Sequence, residues 1–144
     1  IPEELLDAWM RMAVGIKGNR ILNTLSFNEM VICRLLYRAE QERKQITATD
    51  ICRHSRLLKS QVNKVLNGLE KAGMIERHRD PDDKRRILIR LRKENQHRYL
   101  EEHAHVLQIV REISDRLGRE DTEYLIREMC RVVSLMDEIG GRYE

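Results

Sequence analysis

The sequence has few cysteines and no long apolar run, and each absence excludes a class of protein. The three cysteines, Cys33, Cys52 and Cys130, are too far apart for a disulfide framework or a C-x-x-C metal site. We interpret them as buried, reduced thiols. No apolar run approaches the roughly 18–20 residues that a membrane span needs, and the acidic start "IPEELLDAWM" is unlike a signal peptide. We therefore expect no membrane association and a cytoplasmic location.

Motifs for catalysis and metal binding are also missing. The sequence has no glycine-rich phosphate loop, no nucleophile motif and no convincing pair of catalytic carboxylates, so we expect neither enzyme activity nor a cofactor. His97, His103 and His105 are six and two residues apart. Metal ligands on one helix face need a separation of roughly three or four residues. We therefore expect no metal site.

Charge is abundant and unevenly distributed. Charged residues of both signs make up 35% of the chain, against 4% aromatic residues, and with seven glycines and two prolines this composition is typical of a helix-rich domain. Residues 40–92 hold 14 Lys and Arg against 8 Asp and Glu, a net charge of +6, whereas the remainder has a net charge of −3. A basic middle segment between flanks of another character is typical of a module that binds a polyanion.

The middle of the chain has the pattern of a helix-turn-helix. Ser26 with Glu29, and Thr47 with Asp50, form two capping boxes that each predict a helix start. After a break follows a helix that is apolar on one side and ends near Gly73. Its other side carries Lys59, Gln61, Asn63, Lys64 and Asn67. Two short helices, the second polar and basic outside, indicate a DNA-binding helix pair.

A β-hairpin is predicted directly after this helix. "MIERHR" and "RILIRL" have the period of two that strands show, with Ile87, Ile89 and Leu91 alternating with Leu88 and Arg90. Between them "DPDDKR" supplies a proline and aspartates that suit a turn. A hairpin after a recognition helix indicates a winged helix.

Two long helices are predicted after the hairpin. From about Lys93 apolar residues recur at helical spacing, and Asp121 is placed to cap the second helix. The two helices would be about 25 and 19 residues long, or about 37 and 28 Å. Helices of this length with a continuous apolar seam usually need a partner, which a second subunit can supply.

In this order of elements, and above all in "GLEKAGMIERHRDPDDKRRILIRL", the chain resembles the MarR family (multiple antibiotic resistance regulators) over nearly its whole length. The resemblance implies a mainly α fold with a small β-hairpin wing, in which a winged helix-turn-helix DNA-binding module is flanked by long dimerisation helices. We predict a single MarR-like domain over residues 1–144, with the DNA-binding module at 27–92 and dimerisation helices at 1–20 and 93–144. It also implies a homodimer that binds double-stranded DNA and a small phenolic or anionic aromatic effector.

The resemblance assigns roles to individual residues. The recognition helix enters the major groove, Arg85 at the wing tip enters the minor groove, and Asp83 orients the loop. Leu58 stands where the family usually has a Ser or Thr N-cap, for which Ser60 or Ser55 would have to compensate. Arg77 either reaches a phosphate or pairs with Glu76 or Asp80. The predicted DNA contacts are Lys59, Ser60, Gln61, Asn63, Lys64, Arg77, Lys84, Arg85 and Arg86.

The function that follows is a ligand-responsive homodimeric repressor of transcription that binds a pseudo-palindromic operator. Two alternatives stay open. One is a thiol-based redox-sensing regulator, chiefly through Cys33, which is followed by Arg34. The other is a winged-helix protein-interaction module without specific DNA binding.

Overall fold

The computed structural model describes residues 1–18 and 20–142, so the predicted segments 1–20 and 93–144 are covered except for Asn19, Tyr143 and Glu144. The described helices are α1 (Pro2–Lys17), α2 (Phe27–Gln41), α3 (Ala48–Ser55), α4 (Lys59–Lys71), α5 (Gln96–Leu117) and α6 (Arg119–Gly140). Strands β1 (Ile75–Arg79) and β2 (Ile87–Leu91) lie between α4 and α5, and a 3-10 turn, Lys93–Asn95, precedes α5. The mainly helical fold with a small hairpin is the one predicted.

The chain divides into two compact units. The first comprises Ile1–Val106 and the second begins at Leu107, so the boundary falls within α5. Within residues 1–18 and 20–142, no helix combines the length and the apolar character that a bilayer crossing requires.

The capping boxes at the starts of α2 and α3 are confirmed. Ser26 Oγ accepts a hydrogen bond from the Glu29 N–H (N···O 3.2 Å), and Glu29 Oε1 accepts one from the Ser26 N–H (2.8 Å). Thr47 and Asp50 repeat the arrangement, with N···O distances of 3.2 and 2.9 Å. Both helix starts therefore follow from local sequence, since each side chain satisfies a backbone donor that the helix leaves free.

Gly73 ends α4 as predicted. It has a φ of +72°, and the Met74 N–H donates to the Leu69 carbonyl at 2.9 Å, which closes the helix end. A side chain at this φ would be strained. The Asn95 amide then donates to the Gly73 carbonyl at 2.7 Å and ties the end of α4 to the start of α5.

The hairpin is antiparallel, with Ile75 opposite Leu91 and Arg79 opposite Ile87. Burial does not alternate strictly along β2, because Ile87 is 46% exposed whereas both Leu88 and Ile89 are buried. The segment before α3 lies alongside β2. An antiparallel bridge joins Thr47 to Leu88, and the Ile89 N–H donates to the Ile46 carbonyl at 2.9 Å.

A single aliphatic core fills the first unit. It is formed by the inward faces of α2, α3, α4 and the hairpin, closed by Tyr99 of α5. Its most deeply buried members include Ile32, Leu36, Ile51, Val62, Leu66 and Leu69. This core fixes which side of α4 faces outward.

The loop between α1 and α2 is anchored to α5 by Glu102. Its carboxylate is buried and accepts hydrogen bonds from the N–H groups of Asn23 (2.6 Å) and Thr24 (3.1 Å) and from the Thr24 hydroxyl (3.0 Å). Burial alone would raise the pKa of Glu102, but these donors hold it below its ordinary value.

The last two helices are both 22 residues long, against predicted lengths of about 25 and 19. The prediction that Asp121 caps α6 was wrong, because α6 begins at Arg119 after Gly118, which has a φ of +87°. The Thr122 hydroxyl donates to the Gly118 carbonyl at 2.7 Å. Asp121 therefore lies inside the first turn.

Large apolar side chains are exposed on α1 and, separately, on α6. In α1, Leu5, Trp9 and Met12 are about half exposed, and no residue of that helix is buried. The same holds for α6, where the exposed residues lie at helical spacing. They are Leu125, Ile126, Met129, Val132, Val133, Leu135, Met136 and Ile139.

Candidate nucleic-acid interface

The outward face of α4 carries the residues predicted to contact DNA. Val62, Leu66 and Leu69 anchor the helix in the core. Because these buried positions fix the rotation of α4 about its axis, the polar side chains on the opposite face point to solvent. Those exposed side chains are Lys59, Ser60, Gln61, Asn63 and Lys64.

Gln61 has a structural task at the start of α4. Leu58 is the N-cap and makes no side-chain capping bond, and the Gln61 Oε1 accepts from the Leu58 N–H at 3.0 Å. Ser55 acts one step earlier, where its Oγ accepts from the Leu57 N–H at 3.1 Å. The Ser55 bond lies before the N-cap and does not replace the missing cap of α4, whereas Gln61 supplies the side-chain bond at the helix start. Sequence reasoning missed this role, although a Gln at the third helical position is its usual signal.

Arg77 lies against α4 rather than projecting freely from β1. Its Nη2 donates to Asn67 Oδ1 at 2.9 Å, and its Nε is 3.8 Å from Glu70 Oε1. The expected alternative partners were wrong, because Glu76 pairs with Arg90 and Asp80 with Arg86. Arg77 therefore connects the hairpin to the recognition helix.

The wing tip presents Lys84 and Arg85 to solvent, with the Arg85 side chain 92% exposed. Asp83 Oδ1 accepts from the Arg85 N–H at 3.1 Å and from its Nε at 3.3 Å. The Arg79 guanidinium donates to the Lys84 carbonyl at 2.8 Å and braces the tip from the strand. The Asp83 carboxylate is therefore bound to both the backbone and the side chain of Arg85.

Asp80 at the base of the wing is a residue that sequence reasoning missed. It is 2% exposed, its Oδ2 lies 3.3 Å from Arg86 Nη1, and its Oδ1 accepts from the Asp82 N–H at 2.9 Å. Arg86 is thus turned partly toward the protein, while still half exposed. The signal was available in the Asp-Pro pair that opens the turn.

Arg86 also lies near the start of α3. Burial alone would raise the pKa of Asp50, but hydrogen bonds from Thr47 and the charges of Arg53 and Arg86 hold that pKa below its ordinary value. The Arg53 guanidinium is 2.8 Å from Asp50 Oδ1. The charges of Arg53 in α3 and of Arg86 at the wing base therefore both act on the Asp50 carboxylate.

The cysteines and the acidic and histidine side chains form no metal site, because no group of three or more such ligands converges in the described part of the chain. Cys33 is fully buried, and burial, with the nearby Glu29 carboxylate, raises the pKa of its thiol to about 12. A thiol in this state is a poor nucleophile. Cys52 is half-buried and Cys130 exposed, so the expectation of buried thiols holds fully only for Cys33.

A cleft of about 690 Å³ opens beside the recognition helix, between the end of α1, the start of α2 and α4. Lys17 lies over the Phe27 ring, with Nζ 5.9 Å from the ring centroid, and Val65 adds an apolar wall. Gln61 and Lys64, two predicted DNA contacts, also line the cleft. It therefore combines cations with apolar surface, and it shares residues with the α4 face.

Residues 25–86, which hold α2 to α4 and the wing tip, match the sequence model of the MarR family. Over these residues, which are 62 of the 144, the chain is similar to the MarR family. None of the curated proteins compared with the chain matches it significantly.

Several solved structures share the fold along almost the full chain. MepR of S. aureus in its DNA-binding conformation is 18% identical, with a TM-score of 0.73 over 93% of this chain and 98% of that one. FabT of Streptococcus pneumoniae in complex with DNA is 18% identical, with a TM-score of 0.70 over 96% of each chain. NadR in complex with 4-hydroxyphenylacetate is 25% identical, with a TM-score of 0.69 over 94% and 98%.

Proposed function

We propose that this chain is a MarR-family protein, a sequence-specific DNA-binding repressor that acts as a homodimer. The observation that carries the proposal is the arrangement of one exposed polar helix face beside one braced loop with a nearly fully exposed arginine, Arg85. An exposed helix face of this chemistry suits base edges and phosphates in the major groove. An arginine on a braced loop suits the negative potential of a narrow minor groove.

The homodimer is supported by the exposed apolar faces of α1 and α6. A row of half-exposed Leu, Ile, Val and Met side chains along the 22 residues of α6 is larger than the scattered apolar residues of a monomer surface. A two-fold partner would cover the same surface on both subunits. Two recognition helices related by that axis fit half-sites about 34 Å apart, which is a pseudo-palindromic operator.

The cleft beside α4 supports an anionic aromatic effector. Lys17 and Lys64 offer positive charge, and Phe27 and Val65 offer apolar contact, which suits a small ring that bears a carboxylate. NadR, the structure at 25% identity, holds a ligand of this chemistry. Because Gln61 and Lys64 belong to both surfaces, an occupied cleft would disfavour the DNA-bound state by the ligand's differential affinity for the two states.

The proposal is tested by Arg85→Ala, with Arg116→Ala as the matched control on an exposed arginine outside the DNA-binding module. The DNA is a duplex selected from a random library by the wild-type protein. We expect Arg85→Ala to weaken binding by about tenfold, since one arginine contact to DNA is worth roughly 1–3 kcal/mol. Arg116→Ala should bind like wild type. If wild type, Arg85→Ala and Arg116→Ala bind the duplex with equal affinity, the wing does not contact DNA.

The same experiment separates the open alternatives. A protein-interaction module would select no duplex from the library. A redox-sensing regulator would lose DNA binding after mild peroxide treatment, which the buried Cys33 with its raised pKa disfavours.

A further inference from the structure

We propose that Asp80 is the positioning residue that holds the wing in its DNA-binding shape, an inference that rests on the proposed DNA-binding function. Asp83, at the exposed tip, orients only the side chain and amide of Arg85. Asp80 lies at the base and is almost completely buried. The wing thus has two carboxylates with different tasks.

Asp80 closes the loop through three contacts, one from its backbone and two from its carboxylate. Its N–H donates to the Arg86 carbonyl at 3.0 Å, which joins the two strands across residues 80–86. Its Oδ1 accepts from the Asp82 N–H at 2.9 Å, and its Oδ2 faces Arg86 Nη1 at 3.3 Å. The side chain of Asp80 therefore binds both the backbone of Asp82 and the side chain of Arg86, the residue just before β2.

The burial of Asp80 makes this contact selective for a carboxylate. Oδ2 faces a guanidinium that can only donate. The substitution Asp80→Asn keeps an acceptor for the Asp82 N–H but places an amide N–H group opposite the Arg86 N–H. Two donors then face each other in a site from which water is largely excluded, which is unfavourable. The expected result is a wing that samples other shapes and presents Arg85 less often to the groove.

If only the loss of negative charge mattered, Asp80→Asn would bind DNA more tightly, which is the opposite of the change that we propose. Removing a carboxylate near DNA should strengthen binding to a polyanion. Asp82→Asn is the matched control, because Asp82 is exposed, belongs to the same loop and loses the same charge. We expect Asp82→Asn to bind the selected duplex as tightly as wild type or more tightly. We expect Asp80→Asn to bind about tenfold more weakly despite its lower negative charge.

A second readout separates a failure of this proposal from a failure of the proposed function. Amide hydrogen exchange of residues 82–86 is measured without DNA. We expect Asp80→Asn to exchange about tenfold faster there than wild type, and Asp82→Asn to be unchanged. Arg86→Met, which removes the partner without touching the buried carboxylate, should also accelerate exchange and covers the case in which Asp80→Asn does not fold.

The outcomes are distinct. Faster amide exchange in the wing together with weaker DNA binding in Asp80→Asn supports the proposal, because it shows a wing that opens more often. Tighter DNA binding by Asp80→Asn, or wing exchange equal to wild type in both Asp80→Asn and Arg86→Met, overturns it. Absence of DNA binding by the wild-type protein itself, with accelerated exchange in the variants, overturns the proposed function and retains Asp80 as the residue that holds the wing.

Discussion

Single residues decide how the loops of the first unit are held, and Glu102 is the clearest case. We expect Glu102→Gln to lower the free energy of unfolding by about 1–3 kcal/mol at pH 7, because three partly buried hydrogen bonds lose their charged acceptor. The measurement is urea unfolding, with Glu101→Gln as the control on the exposed neighbour.

The pH dependence of Glu102 has a defined sign. Its pKa is lowered in the folded protein, so its contribution is fully present above the unfolded value of 4.5 and is lost as the pH falls through the folded value. The difference between wild type and Glu102→Gln should therefore shrink below pH 4.5. A difference that stays constant from neutral to acid pH would show that the charge of Glu102 does not stabilise the fold.

At the same scale, sequence reasoning identified the exposed residues better than the buried polar ones. The roles of Arg85 and Asp83 at the wing tip came from the resemblance to the MarR family, and the structure joins the two side chains by a hydrogen bond. The pairing of Arg77 with Asn67 depends on the packing of β1 against α4, which no local pattern specifies. Asp80 looked like one of several turn aspartates, because its burial arises only when the hairpin closes.

Among the elements, α4 offers a test of how a helix start is built without a Ser or Thr cap. We expect Leu58→Ser to raise the free energy of unfolding by about 1 kcal/mol relative to Leu58→Ala, since a serine oxygen would accept from the Gln61 N–H. The reciprocal bond from the Leu58 N–H to Gln61 already exists. Chemical denaturation of the two variants gives the difference, and a less stable Leu58→Ser would contradict this account of the helix start.

Most helices and strands could be predicted from the sequence. Two capping boxes and one glycine with positive φ set the limits of α2, α3 and α4, because these signals are local. The bridge between Leu88 of β2 and Thr47 was not predicted, since the two residues are 41 positions apart in the sequence. The start of α6 was missed because Gly118, and not an aspartate, occupies the N-cap.

For the whole molecule, the account predicts that the apolar face of α6 is covered by a second subunit. We expect the double variant Leu125→Glu/Val132→Glu to sediment as a monomer at micromolar concentration, where the wild-type protein sediments as a dimer, because charges would be buried without partners. Arg127→Glu introduces the same charge at a polar position of the same helix and should stay dimeric. A wild-type monomer would contradict the proposed homodimer.

The central claim is that this chain holds DNA through a basic helix face and wing, and the salt dependence of binding tests it most directly. Affinity for the selected duplex is measured by fluorescence anisotropy as salt rises from about 50 to about 200 mM. We predict a loss of roughly a thousandfold, as expected when about six phosphate contacts release counterions. Arg85→Ala should make the slope shallower by about one unit. An affinity that does not change with salt would contradict the account.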